Sequence, residues 1–243
     1  MFFLKVGFVG TCITLCSFGA QAELKRQYSE PTRGFFLEHG TVAGNGQASV
    51  ELHSGVNQLD SGGGIRLGLP NAELIINSGL DDYDGNEVLL KWGMRDLNLN
   101  GRDGTPLKWT LIGAVSHADV ENDQGVVVVD QTNVKLGAAI TVNADAATFT
   151  LGGMIVHADG LQKEDTFVEV DLGAYVGVIE TQAGLFSLGA EAMFTSADND
   201  DDSFAFGGRW AYNERLNLDV VPFVFSDGDS VGIPGLVRLN VSF

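Results

Sequence analysis

The chain has 243 residues with 14 lysines and arginines against 32 aspartates and glutamates, a formal net charge of −18. A surface that acidic repels nucleic acid and excludes it as a partner. The charge is no sign of disorder, because 44% of the residues are hydrophobic and they are regularly patterned.

Residues 1–22 have one early lysine, Lys5, an apolar run from Val6 to Gly19 and a small-residue site at Ala20-Gln21-Ala22. That layout is a secretory signal peptide cut before Glu23. Both cysteines, Cys12 and Cys16, lie within it, so the mature chain is expected to have no thiol and no disulfide. Losing Lys5 leaves 13 basic residues against 32 acidic ones, a mature charge of −19. Residues 23–46 contain "GFFLEHGTV", which reads as a periplasmic tail, an inward plug or an extra strand.

From residue 47 to 243 the sequence alternates with period two between turn residues, the mark of half-buried strands. In chain order the strands are "QASVELHS", "GGIRLGLP", "AELIINSG", "NEVLLKWGMRD", "LKWTLIGAVSH", "TNVKLGAAITV", "ATFTLGGMIVH", "FVEVDLGAYVGVI", "GLFSLGAEAMFT", "SFAFGGRWAY", "RLNLDVVPFVF" and "GLVRLNVSF". About twelve strands, within a range of roughly ten to fourteen, are expected. Most are near the length of about 9–11 residues that a tilted strand needs to cross a bilayer. Short links such as "PN", "NADA" and "ETQA" alternate with longer acidic ones such as "ADVENDQGVVVVD" and "SDGDSVGIPG".

"WTLIGAVSHAD" at 109–119 aligns without gaps to "FTLGGMIVHAD" at 149–159, so the repeating unit is a hairpin. Hairpin duplication builds an antiparallel meander, whereas a propeller blade would need four strands per repeat.

One face of the strands carries Trp92, Trp109, Phe149, Phe204, Phe206, Trp210 and Tyr212 among aliphatic residues. The other carries the bases Arg66, Lys91, Arg95, Lys108, Lys135, Arg209 and Arg238. The same face holds the acids Glu51, Glu73, Glu87, Glu169, Asp171, Glu191 and Asp219. Apolar-out and polar-in, these 14 side chains would line a lumen of near-neutral charge. Its bases gather on the second to sixth strands, facing Glu169, Asp171 and Glu191 across it. Lumen-side glycines such as Gly93, Gly137, Gly152, Gly173, Gly177, Gly189 and Gly207 would leave space for water or long side chains.

With these features the chain resembles the outer-membrane β-barrel proteins of Gram-negative bacteria, at the level of the class. The resemblance implies an all-β, antiparallel up-and-down transmembrane barrel in the outer membrane. In that class a last strand with alternating hydrophobics and a terminal phenylalanine, here Val237, Leu239, Val241 and Phe243, resembles the signal read by the barrel assembly machinery.

Four histidines remain in the mature chain: His39, His53, His117 and His157. None makes a His-x-Ser pair, the spacing that would put both side chains on one strand face. A lipid-modifying enzyme is therefore a remote alternative, and no catalytic residue is assigned. His117 and His157 occupy equivalent repeat positions and read as interfacial residues, with metal binding through His117/Asp119 and His157/Asp159 as the sharper alternative. The runs "DDYDGNE" and "DNDDDS", the latter with Asp198, Asp200 and Asp202, are oxygen-rich but lack EF-hand spacing. They read as solvated loops that could hold Ca²⁺ or Mg²⁺ weakly and bridge lipopolysaccharide; no other cofactor is expected. The first functional expectation is a passive porin-like channel for small polar or ionic solutes. The alternative is a structural or adhesive barrel closed by ion pairs.

Overall fold

The computed structural model describes residues 33–55, 61–79, 84–98, 106–121, 127–144, 147–160, 164–197, 202–213, 215–226 and 235–243. Residues 1–32, which include the expected signal peptide, and much of the acidic loops lie outside them.

Among the described residues thirteen strands form: β1 (Ala48–Gly55), β2 (Gly62–Leu69), β3 (Ala72–Gly79), β4 (Asp84–Gly93), β5 (Leu97–Asn98), β6 (Pro106–Glu121) and β7 (Val127–Ala144). They continue as β8 (Ala147–Gly160), β9 (Glu164–Thr181), β10 (Gly184–Thr195), β11 (Ser203–Ala211), β12 (Leu216–Ser226) and β13 (Leu236–Ser242). Each pairs antiparallel with its neighbours. The pairings β4–β6 and β1–β13 close twelve strands into a barrel, with β5 a two-residue appendage on β6. Closure removes the free edges that a bilayer would leave unsatisfied.

The closing register sets Leu52 opposite Leu239 and Glu51 opposite Asn240. Because side chains alternate, this one register sends Val50, Leu52, Val237 and Leu239 outward together, while Leu236 at the end of the seam turns inward. Leu52, Ile65, Val88, Leu90, Leu136, Ile155, Leu188 and Leu239 are all exposed on the outer surface. Glu51, Arg66, Glu73, Lys91, Asp171, Glu191, Asp219 and Arg238 are buried on the inner one.

Three local departures have visible causes. Asn71 takes φ 57 in the Pro70-Asn71 turn, a left-handed conformation that asparagine tolerates better than most residues. Between β11 and β12 the register shifts around Gly207, opposite Val221 and Pro222, so a proline with no amide proton sits at a bulge. The third is length: β6, β7 and β9 have 16, 18 and 18 residues, longer than expected. Stretches read as loop, Val127–Asp130 among them, extend these ladders, since β-branched residues suit a pleated strand once a partner is in register.

The chain before β1 lies within the barrel. Residues 33–46, called the strap below, cross the interior and join β1 at the end where Phe243 donates to the Ala48 carbonyl at 2.7 Å. A tight turn closed by Gly34 N–H to Leu37 C=O, 2.7 Å, opens the strap, and Gly46 N–H to Gly68 C=O, 2.9 Å, ends it. Phe35 packs with Tyr175, Ala205, Val221 and Leu236 in one buried cluster. Ile75, Leu89, Ile112, Ala114 and Ala139 form a second.

Six of the lumen-side glycines are covered by side chains, so of the two expected occupants, water or side chains, it is side chains that fill the space above them, though not those of arginine or lysine. Added Cβ atoms would strike Met154 at Gly137, Asp171 at Gly152, Tyr175 at Gly173 and Gly189, Val221 at Gly207, and the strap's Val42 at Gly93. Tilted strands carry side chains from one ladder over the glycines of the next.

Candidate functional site: a charged lumen and its strap

On the β1–β4 wall, strand alternation turns Glu51, Arg66, Glu73 and Lys91 inward, and hairpin register places Glu73 opposite Lys91. The strap lowers Glu38 between them. Arg66 Nη2 donates to Glu38 Oε1 at 2.6 Å, and Lys91 Nζ to Glu38 Oε2 at 3.1 Å. Glu73 completes the square, 3.2 Å from Arg66 and 3.4 Å from Lys91. Lys91 and Glu73 have no solvent exposure at all. Burial works to raise the Glu38 carboxyl, but the charges of Arg66, Lys91 and Arg33 hold it well below the usual glutamate range.

The opposite wall reads the strap's backbone. Glu191 accepts the successive amides of Phe35, Phe36 (2.8 Å) and Leu37 (3.2 Å), together with the Tyr175 hydroxyl. Consecutive N–H groups converging on one carboxylate form an anion nest. The carbonyls of the same turn go to guanidinium groups. Arg209 donates to Arg33 C=O and Gly34 C=O, both at 3.2 Å, and Arg238 donates to Gly34 C=O at 3.1 Å and to Phe35 C=O. Asp219 holds Arg209 at 2.6 and 2.9 Å, and Glu51 joins Arg33 (2.8 Å) to Arg238 (3.1 Å). Farther along, Thr141 accepts from Gly40 N–H at 2.8 Å and Glu73 from Ala43 N–H at 3.4 Å.

Among the described residues the network around the strap pairs five cations (Arg33, Arg66, Lys91, Arg209, Arg238) with four carboxylates (Glu38, Glu51, Glu73, Asp219), while Glu191 is held by strap amides and the Tyr175 hydroxyl. Charges removed from water in this number persist only when paired and hydrogen-bonded.

Toward the loop end the lumen differs. Glu87 faces Lys135 at 3.6 Å and accepts from Asn77 at 3.2 Å. Glu169 and Asp171 share the inner face of β9, and Asp171 is buried with its Oδ1 unpartnered among the described residues. A cavity of about 280 Å³ lies at this end, lined by Arg33, Phe36, His53, Asn77, Glu87 and Arg238 among others.

The expected lumen residues thus separate into groups. Glu51, Arg66, Glu73, Lys91, Glu191, Arg209, Asp219 and Arg238 gather around the strap. Glu87, Lys135, Glu169 and Asp171 lie toward the loops, and Lys108 is half-buried on β6. Arg95 departs from expectation: β4 ends at Gly93, so Arg95 falls in the link to β5, exposed, its carbonyl accepting from Trp109 Nε1 at 3.1 Å. The Arg66–Lys91 wall and Glu191 do not meet directly, because strap groups stand between them.

Val237 and Leu239 are exposed on the outer face, Val241 is half-buried, and Phe243 is 72% exposed. Asp198 and Asp200 lie outside the described residues, and Asp202 accepts the Thr195 amide at 3.2 Å. His117 and His157 each pair across the ladder with a threonine, Thr132 and Thr166, at 3.1 and 3.0 Å. Among the described residues no three His, Cys, Asp or Glu gather as a metal centre.

Residues missed by alternation are those of the strap and its reader Tyr175. Their one signal was the cluster Phe35-Phe36-Leu37-Glu38-His39 between Gly34 and Gly40, apolar and charged together ahead of the first strand.

A closed antiparallel barrel with an apolar outer surface and a charged interior defines the class: the protein has the fold of the outer-membrane β-barrels. No protein-family model matches the chain, and no curated protein matches its sequence. Among solved structures it is similar to the KdgM porin, at 8% identity over 81% of this chain and 96% of that one, TM-score 0.48. It is also similar to the NanC porin, at 12% identity over 81% and 98%, TM-score 0.48. OmpT, an outer membrane protein of Vibrio cholerae, is similar at 10% identity over 82% and 98%, TM-score 0.34.

Proposed function

We propose that the protein is a porin-like channel of the Gram-negative outer membrane, exported by its signal peptide, whose passive pathway for small polar or ionic solutes is narrowed by the strap. The observation that carries this reading is where the wall charges find their partners. Glu191, Arg209 and Arg238 bind strap backbone, and Arg66 and Lys91 bind the strap's Glu38. A barrel closed only for rigidity would pair the charges of opposite walls across the lumen, whereas direct wall pairs such as Glu73–Lys91 and Asp219–Arg209 stay between neighbouring strands. Walls held apart, with a chain segment between them, support the reading of a pore with an occupant. Assembly from Phe243 and cation-bridged contact of the acidic loops with lipopolysaccharide belong to the same proposal.

Planar-bilayer recording on refolded protein tests it. The full chain should conduct in small steps, and a variant lacking residues 24–46 in larger ones. A correctly folded deletion variant that leaves the bilayer sealed would sink the channel reading and favour the ion-paired structural barrel.

A further inference from the structure

We propose that the loop-side half of the lumen holds a site for a small alkylammonium cation, anchored on Asp171; this rests on the channel reading above. Asp171 is only 5% exposed, yet its Oδ1 has no hydrogen-bond partner among the described residues. A buried carboxylate oxygen left open is costly unless a donor or a cation meets it.

The surroundings define the donor. Lys135, the cation facing Asp171 from β7, stands 3.6 Å from Glu87. Leu37 of the strap comes up against Gly173, two residues away, and its amide is already given to Glu191. Glu169 shares the face of Asp171. On the inner face of β9 Glu169 and Asp171 stand two residues apart, with Lys135 the cation that faces them. Two neighbouring carboxylates favour a positively charged guest.

The same geometry selects among cations. A calcium-type ion needs six or more oxygen ligands, and no third acid or histidine gathers with this pair among the described residues. One ammonium N–H satisfies Oδ1. Met154, directly opposite Glu169 in the β8–β9 ladder and packed against the Ile75 cluster and against Val156, Ala158 and Phe167, supplies a surface for the alkyl part.

The test uses refolded full-length protein in detergent, with thermal unfolding followed in methylammonium chloride against equimolar choline chloride. Methylammonium should raise the midpoint of the parent, since a ligand bound only by the folded state stabilises it. Asp171→Asn, which keeps shape and loses charge, should lose that rise, and Glu169→Gln should weaken it. An equal rise in parent and Asp171→Asn, or none in the parent, overturns the proposal. Reversal potentials in a KCl gradient separate this from the channel reading. Binding without conductance would leave the site standing and remove the channel. Conductance with neither cation preference nor methylammonium binding would do the reverse.

Discussion

Glu38→Ala removes the strap side chain that joins the two buried cations of the β2–β4 wall. Arg66 loses a 2.6 Å contact and Lys91 one of 3.1 Å, while each keeps Glu73, at 3.2 and 3.4 Å. Breaking a buried pair from one side costs about 3–5 kcal/mol, and the remaining partner places this case near the lower end, about 3 kcal/mol. At 1.4 kcal/mol per factor of ten, the population with the strap released should rise roughly a hundredfold. Thr141, 1% exposed beneath Gly40, reports that release once changed to cysteine. Because Cys12 and Cys16 both precede residue 23, protein refolded from residue 23 onward then has a single thiol. Its reaction with a membrane-impermeant thiosulfonate follows the open population when reclosing is fast. Labelling should be about a hundredfold faster in Glu38→Ala/Thr141→Cys than in Thr141→Cys alone, with the global melting transition retained. Equal rates in the two proteins would refute the assignment of Glu38 as an anchor.

Acid should act through the same carboxyl. Because the folded value of Glu38 is lowered, its contribution is complete above the unfolded reference of about 4.3 and is lost as pH falls through the folded value. The ratio of Thr141→Cys labelling between Glu38→Gln and the Glu38 protein should hold steady from about pH 8 to about pH 5 and fall toward one only in stronger acid; a midpoint near neutrality would contradict this. Gly40→Val would drive a side chain into the Ala139 and Lys108 carbonyls and the Thr141 amide, and should displace the strap and raise conductance. Gly113→Ala, whose Cβ meets only Leu136 at 3.6 Å, should leave conductance and melting unchanged. Deleting Phe243 removes its 2.7 Å bond to Ala48 at the closing seam, and the refolding yield in detergent micelles should drop.

Strand alternation carried most of the barrel, because in a wall with lipid on one side and charge on the other each strand's parity is fixed by solvent alone. Glu51, Arg66, Lys91 and Asp219 could be placed from their spacing to Leu52, Leu67, Leu90 and Val220. Strand length was less legible: Val127–Asp130 lies past the apolar band, where ladder register and not lipid keeps the strand going. The strap was least legible. Glu191 binds backbone amides and Arg238 backbone carbonyls, and every residue type presents those groups, so no side-chain pattern at 33–37 announces the contact. The glycines were legible only in part for a related reason, since what fills the space above Gly137 or Gly189 comes from a neighbouring strand and depends on tilt.

Over the described residues the uneven strands give the barrel a tall side and a low one. β1, β2 and β3 have 8 residues and β13 has 7, against 14 to 18 for β6 through β9. At about 3.3 Å per residue and a tilt near 40°, 8 residues rise roughly 20 Å, short of an apolar band of about 25 Å. Lipid beside the low side must thin to meet it, or the whole barrel must lean. The low side is also the seam where β1 meets β13 through seven residue pairs, while β6 and β7 share fifteen. Membrane thickness therefore bears directly on the joint that closes the ring: a thicker bilayer pulls at that joint first, and a thinner one relieves it.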